Sequence, residues 1–146
     1  MNQTLRIVTL VLVFTLAACV SKPSSKPSRH CYHSNEQVEQ TYGYCQAVSV
    51  GDTLHISGSV GAGDMPEAIK KAYDHVGATL AAHDMDFGDV VNETVFTTNI
   101  DQLIEHQGVR KAYYGDVFPA SSWIQIERLF LPEFVIEVEV TAVRMD

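Results

Sequence analysis

Nearly every position from 7 to 18 is apolar, and the only charge ahead of that run is Arg6. A dozen apolar residues cannot span a bilayer, which takes about 20. One positive charge, an apolar centre and small residues at its end have the form of a secretory signal. Positions 21–29 are Ser, Lys, Pro and Arg, with nothing to bury, and read as an extended solvated linker. Polar residues continue through 30–42, a segment expected to drape over the domain surface. From 43 onward the pattern breaks into short periodic runs. Positions 46–50 and 53–57, joined by Gly51 and Asp52, predict a β-hairpin. Positions 58–64 are glycine-rich and predict a mobile loop. Asp64, Pro66 and Glu67 form a helix start with Asp64 as cap. Ile69, Tyr73, Val76 and Leu80 recur at helical spacing, so that helix runs to about His83. Val91, Val95, Phe96 and three threonines make 89–99 a strand. Asp101 opens a second helix to about Tyr114, Pro119 breaks the chain, and 122–129 and 134–143 are two more strands.

The order β-β-α-β-α-β-β predicts an α+β fold, one sheet with both helices on one face. Only about 105 residues follow position 42, enough for one domain with a modest core. Such a chain has no third layer to cover the other sheet face, so an oligomer is expected. The expected organisation is therefore a signal segment at 1–18, a linker at 19–42 and a domain at 43–146.

Charge and cysteines sharpen this picture. The chain carries a formal charge of −8, which becomes about −9 when Arg6 leaves with the signal. Phosphate binding needs clustered Lys and Arg, so nucleic acid is excluded as a partner. Leu16-Ala17-Ala18-Cys19 resembles a bacterial lipobox, in which the Cys thiol receives lipid and becomes the mature N-terminus. That makes the membrane a partner through Cys19 and places the domain on the periplasmic side of the cell envelope. Val20, rather than Asp, follows the Cys and favours the outer membrane over the inner. Cys31 and Cys45 remain, in a compartment where disulfides persist. A bridge between them closes a loop of about 14 residues; two free thiols, one buried, are the other arrangement. No C-x2-C or paired-His spacing calls for a metal. The glycine-rich 58–63 lacks the Lys-Ser/Thr of a phosphate loop and the acidic residue of a dinucleotide fold, so no cofactor is called for. No nucleophile elbow surrounds Ser121 and Ser122, and the six histidines form no triad order.

Five stretches carry a family resemblance. Tyr44-Cys45-Gln46-Ala47-Val48 is similar to a Tyr-Ser-Gln-Ala-Val opening. Ile56-Ser57-Gly58-Ser59-Val60 is similar to a Ser-Gly-Gln strand end. Thr94-Val95-Phe96 is similar to a third strand, and Phe118-Pro119-Ala120-Ser121-Ser122 with Ile136-Glu137-Val138-Glu139 to the last two. In this order and spacing they resemble the RidA/YjgF family of reactive-intermediate deaminases, the Rid superfamily, over nearly all of 43–144. The resemblance implies a chorismate-mutase-like sheet and a homotrimer with three small-molecule clefts between subunits. In active members an Arg directly after Pro-Ala holds the carboxylate of a 2-imino acid. A last-strand Glu, an early Tyr and groups near the Ser-Gly strand end position water and the imine nitrogen. Hydrolysis then gives a keto acid and ammonia.

Carried onto this chain, the resemblance makes Tyr44, Ser57, Gly58, Gln107, Ser121 and Glu137 ligand-binding candidates, with Glu137 the catalytic one. Glu139 shares a strand face with it. Trp123 is either a cleft wall or core packing. The Arg position is Ser121. A guanidinium offers a charged bidentate fork and a Ser hydroxyl one neutral donor, a difference of order 2–4 kcal/mol, or roughly 30- to 1000-fold in affinity. Helix and strand spacing place neither Arg110 nor Arg128 as a substitute. The expectation is a Rid-like binding trimer without 2-iminobutanoate/2-iminopropanoate deaminase activity. The alternatives are a deaminase or related hydrolase of another imine, using Glu137 and water, and an interaction module for another envelope protein.

Overall fold

The computed structural model describes residues 28–145. Residues 1–18 and Cys19 therefore lie outside the described part, as does most of the Ser/Lys/Pro tract. Eleven elements follow in order: β1 (Arg29–Tyr32), α1 (Glu36–Tyr42), β2 (Ala47–Val50), β3 (Thr53–Ala62), α2 (Met65–Ala81), a 3-10 turn (Phe87–Asp89), β4 (Val90–Thr97), α3 (Ile100–Glu105), α4 (Gln107–Tyr114), β5 (Ala120–Gln125) and β6 (Phe134–Val143). The strands form one sheet in the order β1-β2-β3-β6-β4-β5. Only the β4–β5 pair is parallel. The fold is α+β, as the element order predicts.

Helix α2 begins where its cap predicts: the Asp64 side chain accepts from the Glu67 N–H, and Pro66 lies in the first turn. Ala68, Ile69, Ala72, Tyr73, Val76 and Leu80 form its buried stripe. They pack on Leu54 and Ile56 of β3, Val95 of β4, and Ile136, Val138, Val140 and Ala142 of β6. From Ile136 on, even-numbered positions of β6 face the helices, and odd ones, Glu137 and Glu139 among them, face the open side.

Three expectations are corrected. Positions 58–62 are not a loop: β3 continues through them and pairs with β6 up to Ala62–Phe134, with a register shift between Ile56 and Ser59. The glycine at 61 reflects packing, because a Cβ there would overlap the Ala68 backbone of α2. The second helix is two helices, α3 and α4, parted at His106. Its cap is Asn99, whose Oδ1 accepts from the Gln102 N–H, rather than Asp101. Gly108, a poor helix residue, stands just after the break.

The third correction concerns 29–42, which is folded rather than linker. β1 pairs antiparallel with β2 from Arg29–Val50 to Tyr32–Ala47. Three forces hold it. Cys31 and Cys45 are joined as a disulfide, with Cα atoms 5.6 Å apart. Tyr32 meets His83 edge-on at 4.9 Å. Glu39 of α1 is buried and accepts hydrogen bonds from the N–H groups of Ser34 (2.9 Å), Asn35 (2.7 Å) and Gln46 (3.1 Å) and from His33 Nδ1 (2.6 Å). Gly43, in the left-handed region at φ 76°, ends α1.

Candidate functional site

The last-strand Glu137 leaves the sheet on its open side, opposite Val60 of β3 and Phe96 of β4. Beside it the β3 register shift brings Gly58 under its carboxylate, and any Cβ at 58 would overlap it. This is the reason for glycine at that point. Around the pair lies a cleft of about 640 Å³ lined by Tyr44, Ser57, Gly58, Glu137 and Glu139, with apolar walls from α1 and the segment before β6. Val38 and Tyr42 form one wall; Phe130, Leu131 and Phe134 form the other. Tyr42 and Phe130 touch edge-on at 5.1 Å across the rim.

The electrostatics are acidic. Burial, and then the Glu139 charge, hold the Glu137 carboxyl above its ordinary value. Burial followed by the charges of Glu39 and Glu137 pushes up the Tyr44 phenol, which stays a neutral donor and acceptor. Among the described residues neither Glu137 nor Glu139 is ion-paired, and no Lys or Arg lines the cleft. Ser57 has committed its hydroxyl to the Cys45 carbonyl at 2.7 Å. It therefore offers a ligand its oxygen as an acceptor.

Tyr44, Ser57, Gly58 and Glu137 are thus brought together, and Ser121 and Gln107 are not. Ser121 is on β5, separated from β6 by β4. Its side chain points to the helix side of the sheet, where Oγ donates to Glu93 Oε1 at 2.6 Å and accepts from Trp123 Nε1–H at 2.8 Å. Gln107 is the first residue of α4 and does not line the cleft.

Glu93, fully buried, is the hub of a network the sequence does not announce. Tyr73 and Tyr114 donate to its Oε2 at 2.9 and 2.7 Å, and Arg110 is ion-paired with Oε1. The Arg110 guanidinium also lies over the Tyr114 and Trp123 rings, at 4.8 and 5.5 Å from their centroids. Burial opposes the Arg110 charge, but the Glu93 hydrogen bond and charge outweigh it and hold that guanidinium more firmly protonated than usual. Arg110 is therefore committed internally and is no replacement for the cation missing at Ser121. The signals for the missed residues were weak. Val38 and Tyr42 stand four apart, which marks a helix face, and Glu93 is one acid within a strand of threonines and valines.

A mixed sheet with helices on one face and a Glu opposite a Ser-Gly strand bend delimits a class, and comparison with known proteins agrees with it. The family model for endoribonuclease L-PSP, the RidA/YjgF family, matches residues 34–144, and the chain belongs to this family. It is 34% identical over 95 residues to the 2-iminobutanoate/2-iminopropanoate deaminase of Bos taurus, covering 59% of this chain and 69% of that protein. It is 29% identical over 106 residues to the RutC family protein YjgH of Escherichia coli K12, covering 68% and 81%. Among solved structures, Rv2704 of Mycobacterium tuberculosis, a member of the YjgF/YER057c/UK114 family, superposes with a TM-score of 0.75 at 25% identity, over 80% of this chain and 100% of that one. E. coli TdcF with bound serine gives a TM-score of 0.65 at 25% identity, over 70% and 88%.

Proposed function

We propose that this chain is an envelope lipoprotein of the RidA/YjgF family that binds a neutral or cationic small molecule, without the 2-imino acid hydrolysis for which its relatives are named. The observation that carries the reading is the charge of the cleft: among the described residues Glu137 and Glu139 line it and no Lys or Arg does. An α-imino carboxylate entering there meets like charge and no fork to hold it. A ligand with an ammonium or amide group and an apolar body meets the Glu137 carboxylate, the Tyr44 hydroxyl and the walls from Val38, Tyr42, Phe130 and Phe134.

The assembly in this reading is a homotrimer, in which a neighbouring copy covers the open sheet face and closes the cleft. Gln107 and the backbone of β5 then come to the cleft from the neighbour's side, while the Ser121 hydroxyl stays on Glu93. Lipid on Cys19 holds the trimer to the periplasmic side of the envelope, at the outer membrane. Three tails on one body make attachment multivalent.

A second reading rests on Glu137 alone. A carboxyl raised by burial is a better base toward water than an ordinary one, so hydrolysis of an uncharged imine is compatible with this cleft. One assay tests the first reading on the family substrate. With 2-iminobutanoate generated in situ by an amino-acid oxidase, the wild-type chain is expected to leave ammonia release at background. The Ser121→Arg variant, tested beside it, restores a charge at the family position. Wild-type acceleration that Glu137→Gln removes contradicts the proposal.

A further inference from the structure

At the edge of the sheet, the Cys31–Cys45 disulfide lies beside His33 and, through it, Glu39. His33 lies two residues from Cys31, and its Nε2 is 3.2 Å from Cys31 Sγ. Its Nδ1 is 2.6 Å from Oε2 of Glu39. Glu39 is 1% exposed and fixed by backbone donors from Ser34, Asn35 and Gln46, so it cannot swing away from the ring. Burial works against the Glu39 charge, but the hydrogen bonds from Asn35, His33, Ser34 and Gln46 hold its carboxyl below the ordinary value. The imidazole is therefore oriented between a fixed carboxylate and a sulfur that carries no proton. Cys31 is exposed and Cys45 half-buried, so an outside reagent reaches Cys31 first. A groove of about 380 Å³ runs alongside, lined by Arg29, Cys31, His33, Gln40, Tyr44 and Cys45 among others.

The geometry points to a thiol–disulfide exchange site, in which Cys31 is the reacting sulfur, His33 stabilises its thiolate, Glu39 positions His33, and the groove receives a low-molecular-weight thiol bearing a carboxylate. Arg29 supplies the charge for that carboxylate. An incoming thiolate attacks Cys31 Sγ, the bond to Cys45 breaks, and the electron pair leaves on Cys45 Sγ, which takes a proton from solvent. Cys31 is then in a mixed disulfide. A second thiolate attacks the external sulfur, and the pair leaves on Cys31 Sγ beside His33 Nε2; Cys31 takes its proton from solvent, so both protons given up by the two thiols are returned. Two thiols become one disulfide and the protein bridge is reduced by two electrons. The reverse sequence carries a Cys31 thiolate onto an external disulfide. The groove adjoins the Glu137 cleft, sharing Tyr44 and Ser57 with it, and its reaction depends on no ligand in that cleft.

The test uses the mature chain in its native state at pH 7. Its bridge is equilibrated with glutathione redox buffers, and its rate of reduction by glutathione is followed. His33→Ala is expected to slow native reduction about tenfold and to shift the equilibrium tenfold toward the disulfide, about 30 mV. In the Cys45→Ser variant, glutathione disulfide is expected to trap Cys31. Arg29→Gln is expected to remove a preference for 3-mercaptopropionate over cysteamine, while leaving reaction with neutral 2-mercaptoethanol unchanged. Because Glu39 also supports the local fold, Glu39→Gln is read by its rate relative to His33→Ala: no further loss in the double variant places both on one path. A bridge reduced only after unfolding in guanidinium, or equal rates and potentials for wild type and His33→Ala, overturns the proposal.

Discussion

At residue 121 a small side chain has taken a structural task. Ser121 donates to Glu93 and accepts from Trp123, joining the edge strand to a buried charge cluster. The energies of its members differ by burial. Glu93 and Arg110 are both almost fully buried, so removing one leaves the other uncompensated, at about 3–5 kcal/mol. Ser121 is exposed apart from its two hydrogen bonds and is worth about 1 kcal/mol. Urea unfolding of Glu93→Ala and Ser121→Ala should reproduce that contrast; equal losses would mean that the network does not run through Glu93. Glu137 follows the opposite rule. Its folded-state pKa is raised, so the stability it contributes is present below its unfolded value and lost as pH rises through the folded one.

At the scale of elements, β1 with α1 supplies one side of this cleft. Val38 and Tyr42 make one of its walls, and the whole piece hangs on Glu39 and the disulfide. Glu39 is depressed, so its contribution is present above the ordinary carboxylate value and is lost as pH falls through the lower folded one. Hydrogen exchange of residues 29–42 should therefore accelerate in acid before that of α2 does, and Glu39→Gln should produce the same local opening at neutral pH. Uniform exchange across the chain would contradict it. The elements legible in sequence were those with a local cause: α2 through Asp64 and its apolar stripe, β6 through its alternation, the hairpin through Gly51-Asp52. What was not legible depended on distant partners. Gly58 and Gly61 look like loop residues until Glu137 and the α2 backbone are placed against them. The 29–42 segment looks like linker until Gln46 and Cys45 return to it. The site divides in the same way: Tyr44, Ser57, Gly58 and Glu137 were marked by motif, whereas Phe130 and Val38 reach the cleft only through tertiary folding.

Over the described residues, one sheet face is packed by α2, and the other is uncovered away from the α1 wall of the cleft. His55, Asn92, Thr94, Glu139 and Thr141 stand on the bare face, around a shallow concavity of about 290 Å³. A second and third copy are its expected cover. Sedimentation equilibrium should give three chains per particle for the wild type, and Thr94→Arg should lower that number; a wild-type monomer would contradict the assembly. The central claim concerns the sign of charge the cleft accepts, and calorimetric titration with a matched pair, benzylamine and benzoate, tests it most directly. The amine should bind more tightly, lose affinity as pH falls through the raised Glu137 value, and lose its advantage in Glu137→Gln. Tighter binding of benzoate, or of 2-ketobutyrate, by the wild-type protein would contradict the account.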